Sequence, residues 1–179
     1  GEEGGGASER ARHGVGTRER AEKARRTAHS EWLVGQDGMR LSANGMESDR
    51  RAGASAEISR LLDESFAAGA FGLSTGVIYV TGAWSDTEEI VALAQVAHRW
   101  QRVYTSHMRD EGVALESALG EAIEVGRRAR IRVQVSHCKA AGVNSHGNST
   151  MLLDALHAAR ADGLDVPRGR YPYLAGTAT

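Results

Sequence analysis

Two segments of the same pattern, RVYTSHMRDEG at residues 102–112 and RVQVSHCKAAG at residues 132–142, give the clearest indication of the fold of this chain. In each segment a β-branched run reaches Ser-His and gives way to a polar loop that ends in Gly, so each histidine is predicted to lie where a strand stops. His107 and His137 are thirty residues apart. That spacing is about the length of one strand-helix-strand crossover of a parallel sheet.

The same strand-helix unit recurs along the chain. Strands are predicted at residues 71–75, 102–107, 131–137 and 164–166. Their corresponding positions, which recur every 30 to 32 residues, are Phe71, Val103, Val133 and Leu164. Apolar residues at helical spacing predict four helices: one from Ser55 to Gly69, one opened by a capping box at Ser85–Glu88, one carrying Leu115 and Ile123, and one capped by Ser149.

Short apolar strands that alternate with one-sided helices predict an α/β fold with a parallel sheet, either doubly wound or part of an eightfold barrel. The barrel is favoured because two consecutive strands carry equivalent histidines, and the carboxyl ends of barrel strands converge on one site. Four strand-helix units make about half of a (β/α)8 barrel. This partial barrel is predicted to occupy residues 31–179. Residues 1–30 carry Val15 as their one larger aliphatic side chain and are predicted to be disordered.

Composition narrows the classes of partner. The 179 residues are 41% hydrophobic and 25% charged, with a formal net charge of -1. This near-neutral balance favours a small-molecule ligand over nucleic acid or an anionic membrane. The single Cys138 excludes an internal disulfide, and without a signal peptide or a long apolar run a cytoplasmic location is the default prediction. Because the chain begins without Met, it is also predicted to be a piece of a longer protein.

The paired histidines predict a metal site. Adjacent parallel strands lie about 4.8 Å apart, so imidazoles at matching strand ends can reach one ion. A catalytic zinc ion takes three protein ligands and a water, so a further ligand must come from elsewhere. The alternative is that each histidine is a hydrogen-bonded polar residue at a strand end; the matched pair favours the metal.

Two cations follow the histidines by two residues. Period-two alternation places Arg109 on the side of His107 and Lys139 on the side of His137, whereas Cys138 points the other way and is expected to pack. Both cations suit a substrate carboxylate or a developing oxyanion. For Arg109, a surface ion pair with Asp110 or Glu111 is the alternative.

A competing motif, Gly72-Leu-Ser74-Thr-Gly76, matches the nucleophile elbow of serine hydrolases. The elbow requires a helix directly after the serine. The residues that follow, VIYVTGAW, are β-branched and broken by Gly, which disfavours a helix. A tight strand-to-loop turn with Ser74 bonded locally is the preferred interpretation.

At these residues the chain resembles the N-acyl-D-amino-acid deacylase, or D-aminoacylase, branch of the amidohydrolase superfamily. The resemblance runs from about Leu33 to Thr179. Its segments are GAFGLSTGVIY at 69–79, YTSHMRDEG at 104–112, VSHCKAAG at 135–142, and GLDV followed by YPYLAGT at 163–177. It implies a zinc-dependent (β/α)8 barrel that hydrolyses the amide of an N-acyl-D-amino acid to a carboxylate and a D-amino acid.

By motif, the resemblance makes His107 and His137 zinc ligands. It makes Lys139 and Tyr171 binders of the substrate carboxylate, and it places Thr177 near a small hydroxyl residue that assists. The family's His-x-His pair and its cysteine ligand are not found in this chain, and its catalytic aspartate would fall beyond Thr179. Further departures are Gln36, where the family shows His, and PRGR at 167–170 in place of Thr-x-Asp-x.

The sequence therefore predicts a central fragment of a zinc-dependent amidohydrolase of the D-aminoacylase type, which holds half of the metal site and part of the substrate pocket and is inactive alone. Two alternatives stay open at this point. One is a serine hydrolase that uses Ser74. The other is a noncatalytic half-barrel that pairs with another chain to cover its open sheet edges. The acyl group, the preferred side chain and the oligomeric state are not predicted.

Overall fold

The computed structural model describes residues 32–45 and 54–169 of the chain. The predictions for residues 1–30, and those for Tyr171 and Thr177, lie outside these described residues. The division of the chain at residue 30 therefore stays a prediction.

The described residues form a four-stranded parallel sheet with its strands in chain order. The strands are β1 (Leu33–Gly35), β2 (Gly72–Gly76), β3 (Val103–His107) and β4 (Val133–Val135). The helices are α1 (Gln36–Asn44), α2 (Ala54–Ala67), α3 (Thr87–Arg99), α4 (Leu115–Ala129) and α5 (Ser149–Ala161), with short 3-10 turns at Gly82–Trp84 and Val143–Ser145. Among the described residues, no helix has the length and apolar character needed to span a bilayer.

The two faces of the sheet differ sharply in composition. Leu73, Tyr104 and Val133 lie in register and are at most 1% exposed, because this face is covered by helices. The opposite face carries a layer of small or polar residues in register, Gly35, Ser74, Thr105 and Gln134. Each of these is partly or fully exposed.

This arrangement decides between the two predicted sheet types. A doubly wound sheet reverses its strand order and places helices on both faces, whereas a barrel keeps chain order with its helices outside. Here the order is sequential, and each helix from α1 to α5 packs against the next. The predicted α/β class with part of a barrel is confirmed.

Four strands were predicted and four are observed among the described residues, but the observed set begins and ends one strand-helix unit earlier in the chain. β1 was not predicted, because three residues give no measurable alternation. The segment 164–166 is not a strand; instead the chain at 165–169 runs beside β4, where the Val133 and Val135 amides donate to the carbonyls of Asp165 and Pro167 at 3.0 and 3.1 Å. Pro167 has no N–H, so it cannot donate to the Val133 carbonyl as this register would require, and the ladder to β4 is incomplete there.

Two helix caps also differ from prediction. α3 is capped by Asp86, whose carboxylate accepts from the Glu89 amide at 2.8 Å. The Ser85 hydroxyl donates instead to the Gly82 carbonyl at 2.5 Å, so the N-cap is displaced by one residue from the predicted position. Ser149 is the first residue of α5 and follows the N-cap Asn148, which makes no side-chain cap bond.

A buried polar network joins α1 to α3. Arg40 is 1% exposed and Glu89 is 3% exposed, and the guanidinium Nε lies 3.3 Å from Glu89 Oε1. The Gln36 amide donates to the same oxygen at 2.8 Å. This network fixes the helix that follows β1 against the helix that follows β2.

Candidate metal site

His107 and His137 meet at the carboxyl edge of the sheet. Nε2 of His137 lies 2.8 Å from Nδ1 of His107, and the two ring centroids are 4.1 Å apart with planes at 73°. The structure thus brings together the two histidines that the sequence singled out. Tyr79 packs its ring against the outer side of His107 at 4.9 Å in an edge contact.

The backbone presents the two histidines differently. His107 is the last residue of β3, as predicted, whereas β4 ends at Val135 and His137 lies two residues beyond it with φ at +33°. A left-handed conformation is unusual for a residue with a Cβ atom. The loop is held by the Ser136 amide, which donates to the Ser106 carbonyl at 2.9 Å, and by the Cys138 amide, which donates to the Gly169 carbonyl at 2.8 Å.

Glu111 is the third member of the site, and the sequence reasoning missed it. Its carboxylate is buried, with Oε1 2.7 Å from Nδ1 of His137 and Oε2 paired with the ammonium of Lys139. The Ala141 amide donates to the Glu111 carbonyl at 2.6 Å and joins the two loops. A usable signal was present, because Glu111 and Lys139 are opposite charges in the corresponding loops of the two segments.

The electrostatic environment keeps His107 neutral. Burial lowers the pKa of His107 below its ordinary value of 6.5, and the neighbouring His137 lowers that pKa further. A neutral imidazole is the form that binds a metal ion. The ring is therefore ready to bind a metal at neutral pH without first losing a proton.

The donor set fits a metal ion. One ligand atom from each of His107, Glu111 and His137 lies within 4.8 Å of the others. Two imidazoles and a carboxylate form a donor set found in catalytic zinc sites. In addition, Glu111 Oε1 is buried and makes no contact of good hydrogen-bond geometry, despite its closeness to His137.

The two predicted cations occupy different surroundings. Lys139 lies in the site, with Nζ 3.1 Å from Nδ1 of His137. Arg109 makes a two-bond contact with Glu121, at 2.9 Å for both bonds, and donates to the carbonyls of Ala83 and Ser85 at 3.0 and 2.9 Å. Its ion-pair partner is therefore Glu121, whereas Asp110 or Glu111 had been the expected alternative. Substrate binding by Arg109 stays a prediction.

Ser74 and Cys138 occupy less reactive settings. Ser74 lies in the middle of β2 and its hydroxyl donates to the Val34 carbonyl at 3.3 Å. Apart from a 3-10 turn, the next helix begins at Thr87, so the strand-to-helix elbow of a serine hydrolase is not formed. Cys138 is half-buried, and burial raises the pKa of its thiol, which disfavours the thiolate that binds metal.

Comparison with known sequences gives a consistent set of relatives. The D-aminoacylase of Alcaligenes xylosoxydans xylosoxydans is 36% identical over 148 residues, which is 81% of this chain and 30% of that protein. The N-acyl-D-glutamate deacylase of the same organism is 38% identical over 145 residues, which is 79% of this chain and 29% of that protein. No protein-family model matches the chain.

The chain is a relative of the D-aminoacylases. It spans about 30% of the length of these curated relatives. Its fold agrees with solved structures. One is the N-acyl-D-glutamate deacylase of Bordetella bronchiseptica, complexed with zinc and a phosphonate that mimics the tetrahedral intermediate. This structure matches with a TM-score of 0.79 at 32% identity, and the match covers 85% of this chain and 32% of that one. A D-aminoacylase structure, described as defining a novel subset of amidohydrolases, matches with a TM-score of 0.77 at 34% identity, over 80% and 30%.

Proposed function

We propose that this chain supplies part of the metal site and substrate pocket of a zinc-dependent hydrolase. The reaction is cleavage of the amide bond of an N-acyl-D-amino acid, which gives a carboxylate and a D-amino acid. The observation that carries the proposal is the meeting of His107 and His137 at 2.8 Å on the carboxyl edge of β3 and β4, in a relative of the D-aminoacylases.

His107 and His137 are the proposed zinc ligands. When bound, a zinc ion supplies a Lewis acid that polarises the scissile carbonyl. Each imidazole is attached to the end of a hydrogen-bonded strand or to the loop just beyond it, so the two ring nitrogens are held close together before an ion arrives. That preorganisation reduces the free-energy cost of binding.

Lys139 is the proposed binder of the substrate carboxylate. Its ammonium lies beside His137 and is paired with Glu111. A cation next to the metal ligands can hold the carboxylate end of an N-acyl-D-amino acid while the acyl carbonyl faces the ion. Tyr171 and Thr177, which lie outside the described residues, are proposed to act beside Lys139. Arg109, held by Glu121, would reach substrate only by leaving that ion pair.

The proposal makes a first prediction about zinc. We expect the purified chain to bind one zinc ion in a competition titration with a coloured chelator. His107→Ala and His137→Ala should each weaken binding at least tenfold, because each removes a ligand. His157→Ala, which changes an exposed histidine on α5, serves as the control. Equal zinc affinity in all three variants and the parent chain would refute the site.

A second prediction concerns activity. The resemblance to the family assigns no residue of this sequence as the proton-transferring aspartate, so we expect the zinc-loaded chain not to hydrolyse N-acetyl-D-glutamate or N-acetyl-D-methionine. Release of free D-amino acid is the measurement. Chelator-sensitive hydrolysis by the purified chain would show instead that it carries a complete catalytic site.

A further inference from the structure

Arg109 makes more bonds than an ion pair requires. Its guanidinium pairs with the Glu121 carboxylate on α4 through two bonds of 2.9 Å, and it also donates to the carbonyls of Ala83 and Ser85 at 3.0 and 2.9 Å. These bonds use four of the five N–H groups of a guanidinium. At most one is left for a substrate carboxylate, which a guanidinium normally holds with two. Arg109 therefore joins α4 to the loop between β2 and α3, residues 77–86, called the β2–α3 loop.

Ala83 connects this guanidinium to Tyr79. The Ala83 carbonyl accepts from Arg109 at 3.0 Å, and the Ala83 amide donates to the Tyr79 carbonyl at 2.7 Å. The Tyr79 amide donates in turn to the Gly76 carbonyl at 2.8 Å, and Gly76 is the register partner of His107. The backbone of Tyr79 is thus held between the end of β2 and the residue that Arg109 binds.

The Tyr79 side chain covers one side of His107. The two ring centroids are 4.9 Å apart, with the ring planes at 62°. A Cβ atom added at Gly76 would lie 3.2 Å from Cδ2 of Tyr79, so the ring lies over this glycine. Burial contributes little to holding the ring there, because Tyr79 is 43% exposed and its neighbours Ile78 and Val80 are 40% and 60% exposed. The position of the ring therefore depends largely on the backbone bonds of the loop.

We propose that Arg109 is a positioning residue, which fixes the β2–α3 loop through the Ala83 and Ser85 carbonyls and thereby keeps the Tyr79 ring against His107. The aromatic ring then limits the orientations that the imidazole can adopt at a partly exposed strand end. This role deepens the proposed function and rests on it, because the orientation of His107 matters to the reaction when His107 is a zinc ligand. If Arg109 instead bound substrate, its removal would leave the Tyr79 contact unchanged.

The first test measures the ring contact without zinc. In NMR spectra of the isotope-labelled chain, we expect nuclear Overhauser effects between the Tyr79 and His107 rings, and a shift of the His107 ring protons by the Tyr79 ring current. Arg109→Met keeps an unbranched side chain and removes the guanidinium. It should lose the ring–ring Overhauser effects and move the His107 shifts towards those of Tyr79→Leu. Unchanged Overhauser effects in Arg109→Met, or their absence from the parent chain, would overturn the proposal.

Arg128→Met is the matched control. Arg128 also makes a two-bond pair with a carboxylate, that of Glu88 at 2.6 and 2.7 Å, but this pair links α4 to α3 itself rather than to the loop before it. We expect Arg128→Met to retain the contact between Tyr79 and His107. Loss of the contact in both arginine variants would show that a general weakening of the helix layer is the cause, and the proposal would fail.

A second substitution covers the case in which Arg109→Met does not fold. Arg109→Lys has one ammonium in place of the planar fork, so it cannot bind Glu121 and both loop carbonyls in the same geometry. The contact between Tyr79 and His107 should therefore weaken in a folded Arg109→Lys chain. A contact as strong as that of the parent chain would contradict the role of the guanidinium.

A double variant shows whether Arg109 acts through Tyr79. Arg109 follows His107 by two residues, so its removal could also disturb the end of β3 directly. In a Tyr79→Leu background we expect Arg109→Met to leave the His107 ring shifts unchanged, because leucine has no ring current. A further shift of those protons would reveal a direct effect of Arg109 and would rule out action through Tyr79.

The zinc titration separates this inference from the proposed function. Arg109→Met should weaken zinc binding several-fold, but less than His107→Ala, because the ligand remains and loses only its fixed orientation. Zinc affinity equal to that of the parent chain would remove the link between the loop and the metal site. If the parent chain binds no zinc while its ring contact depends on Arg109, the metal proposal fails and the positioning of Tyr79 stands. If zinc binds through both histidines while the contact is independent of Arg109, the proposed function stands and the positioning role fails.

Discussion

At the scale of single residues, Tyr104 shows how a buried strand residue keeps its polar end hydrogen-bonded. Its side chain is 1% exposed on the helix-covered face of β3, and its hydroxyl lies 2.9 Å from that of Thr75 on β2. Burial raises the pKa of Tyr104 above its ordinary value of 10.0, because the phenolate is poorly solvated there.

A pH prediction follows from that raised pKa. Above a pH of about 10 the unfolded chain loses the phenol proton while the folded chain keeps it, so stability falls as the pH rises. The Tyr104→Phe variant should lose about 1 kcal/mol at neutral pH, since Thr75 loses its partner. In denaturant titrations at pH values from about 8 to 11, the variant should show a smaller loss of stability than the parent chain. An identical decline in the two proteins would contradict this account.

The sequence predicted some residues of the site and missed others. The histidines were found because both end a β-branched run at the same spacing. Glu111 was not found, because its partners His137 and Lys139 lie 26 and 28 residues away along the chain and are brought to it by the pairing of β3 with β4. Period-two alternation predicted that Arg109 lies on the side of His107. Arg109 instead pairs with Glu121 on α4, and the orientation of that helix cannot be inferred from the alternation of residues in a strand.

At the scale of elements, α4 packs against β4 through a glycine. A Cβ atom added at Gly126 would lie 2.5 Å from Cγ2 of Val133 and 3.0 Å from Cδ1 of Leu164. Gly120 lies on the same helix, and a Cβ atom there meets nothing within 4 Å. The two glycines therefore lie on the same helix but differ in packing, because Gly126 has close neighbours and Gly120 has open space beside it.

This pair gives a matched prediction. Gly120→Ala should stabilise the chain by up to about 1 kcal/mol, because alanine is the better helix former. Gly126→Ala gains the same propensity but should still destabilise by about 1–3 kcal/mol through overpacking. Urea unfolding followed by circular dichroism measures both. A stabilised Gly126→Ala variant would mean that α4 can move away from the sheet at little cost.

The buried pair between α1 and α3 supports another prediction. Glu89→Ala leaves Arg40 as a buried cation without that carboxylate and should cost about 3–5 kcal/mol. Glu88 is the adjacent, exposed carboxylate and pairs with Arg128 at the surface, so Glu88→Ala should change stability little. The thermal unfolding midpoint of each variant is the readout. Similar midpoints for the two variants would show that the buried network contributes nothing beyond a surface pair.

The sequence predicted the helices better than the strands. α2, α3, α4 and α5 each carry several apolar residues at helical spacing, which is a long signal. β1 and β4 have three residues each, and strand existence there depends on neighbours in space. The predicted strand at 164–166 failed for the same reason: that stretch runs beside β4 and makes backbone bonds without forming a regular ladder.

At the scale of the whole molecule, the sheet face opposite the helices is the main face of the described residues that no helix covers. It is lined by the layer that contains Gly35, Ser74, Thr105 and Gln134. Near the other end of the strands, Leu33 and Phe71 are 39% and 44% exposed. In a closed barrel such a face points inward, where side chains from other strands fill it.

The arrangement of the polar cluster within the chain has a further consequence. His107 ends β3, and the other three side chains lie in the loops that follow β3 and β4: Glu111, His137 and Lys139. The two loops are joined by α4 and held by the pairing of β3 with β4. A single continuous stretch of polypeptide thus carries all four side chains of this cluster. A cut or a permuted terminus placed outside that stretch would leave the cluster covalently intact. Recombination between related barrels could therefore exchange it as one cassette.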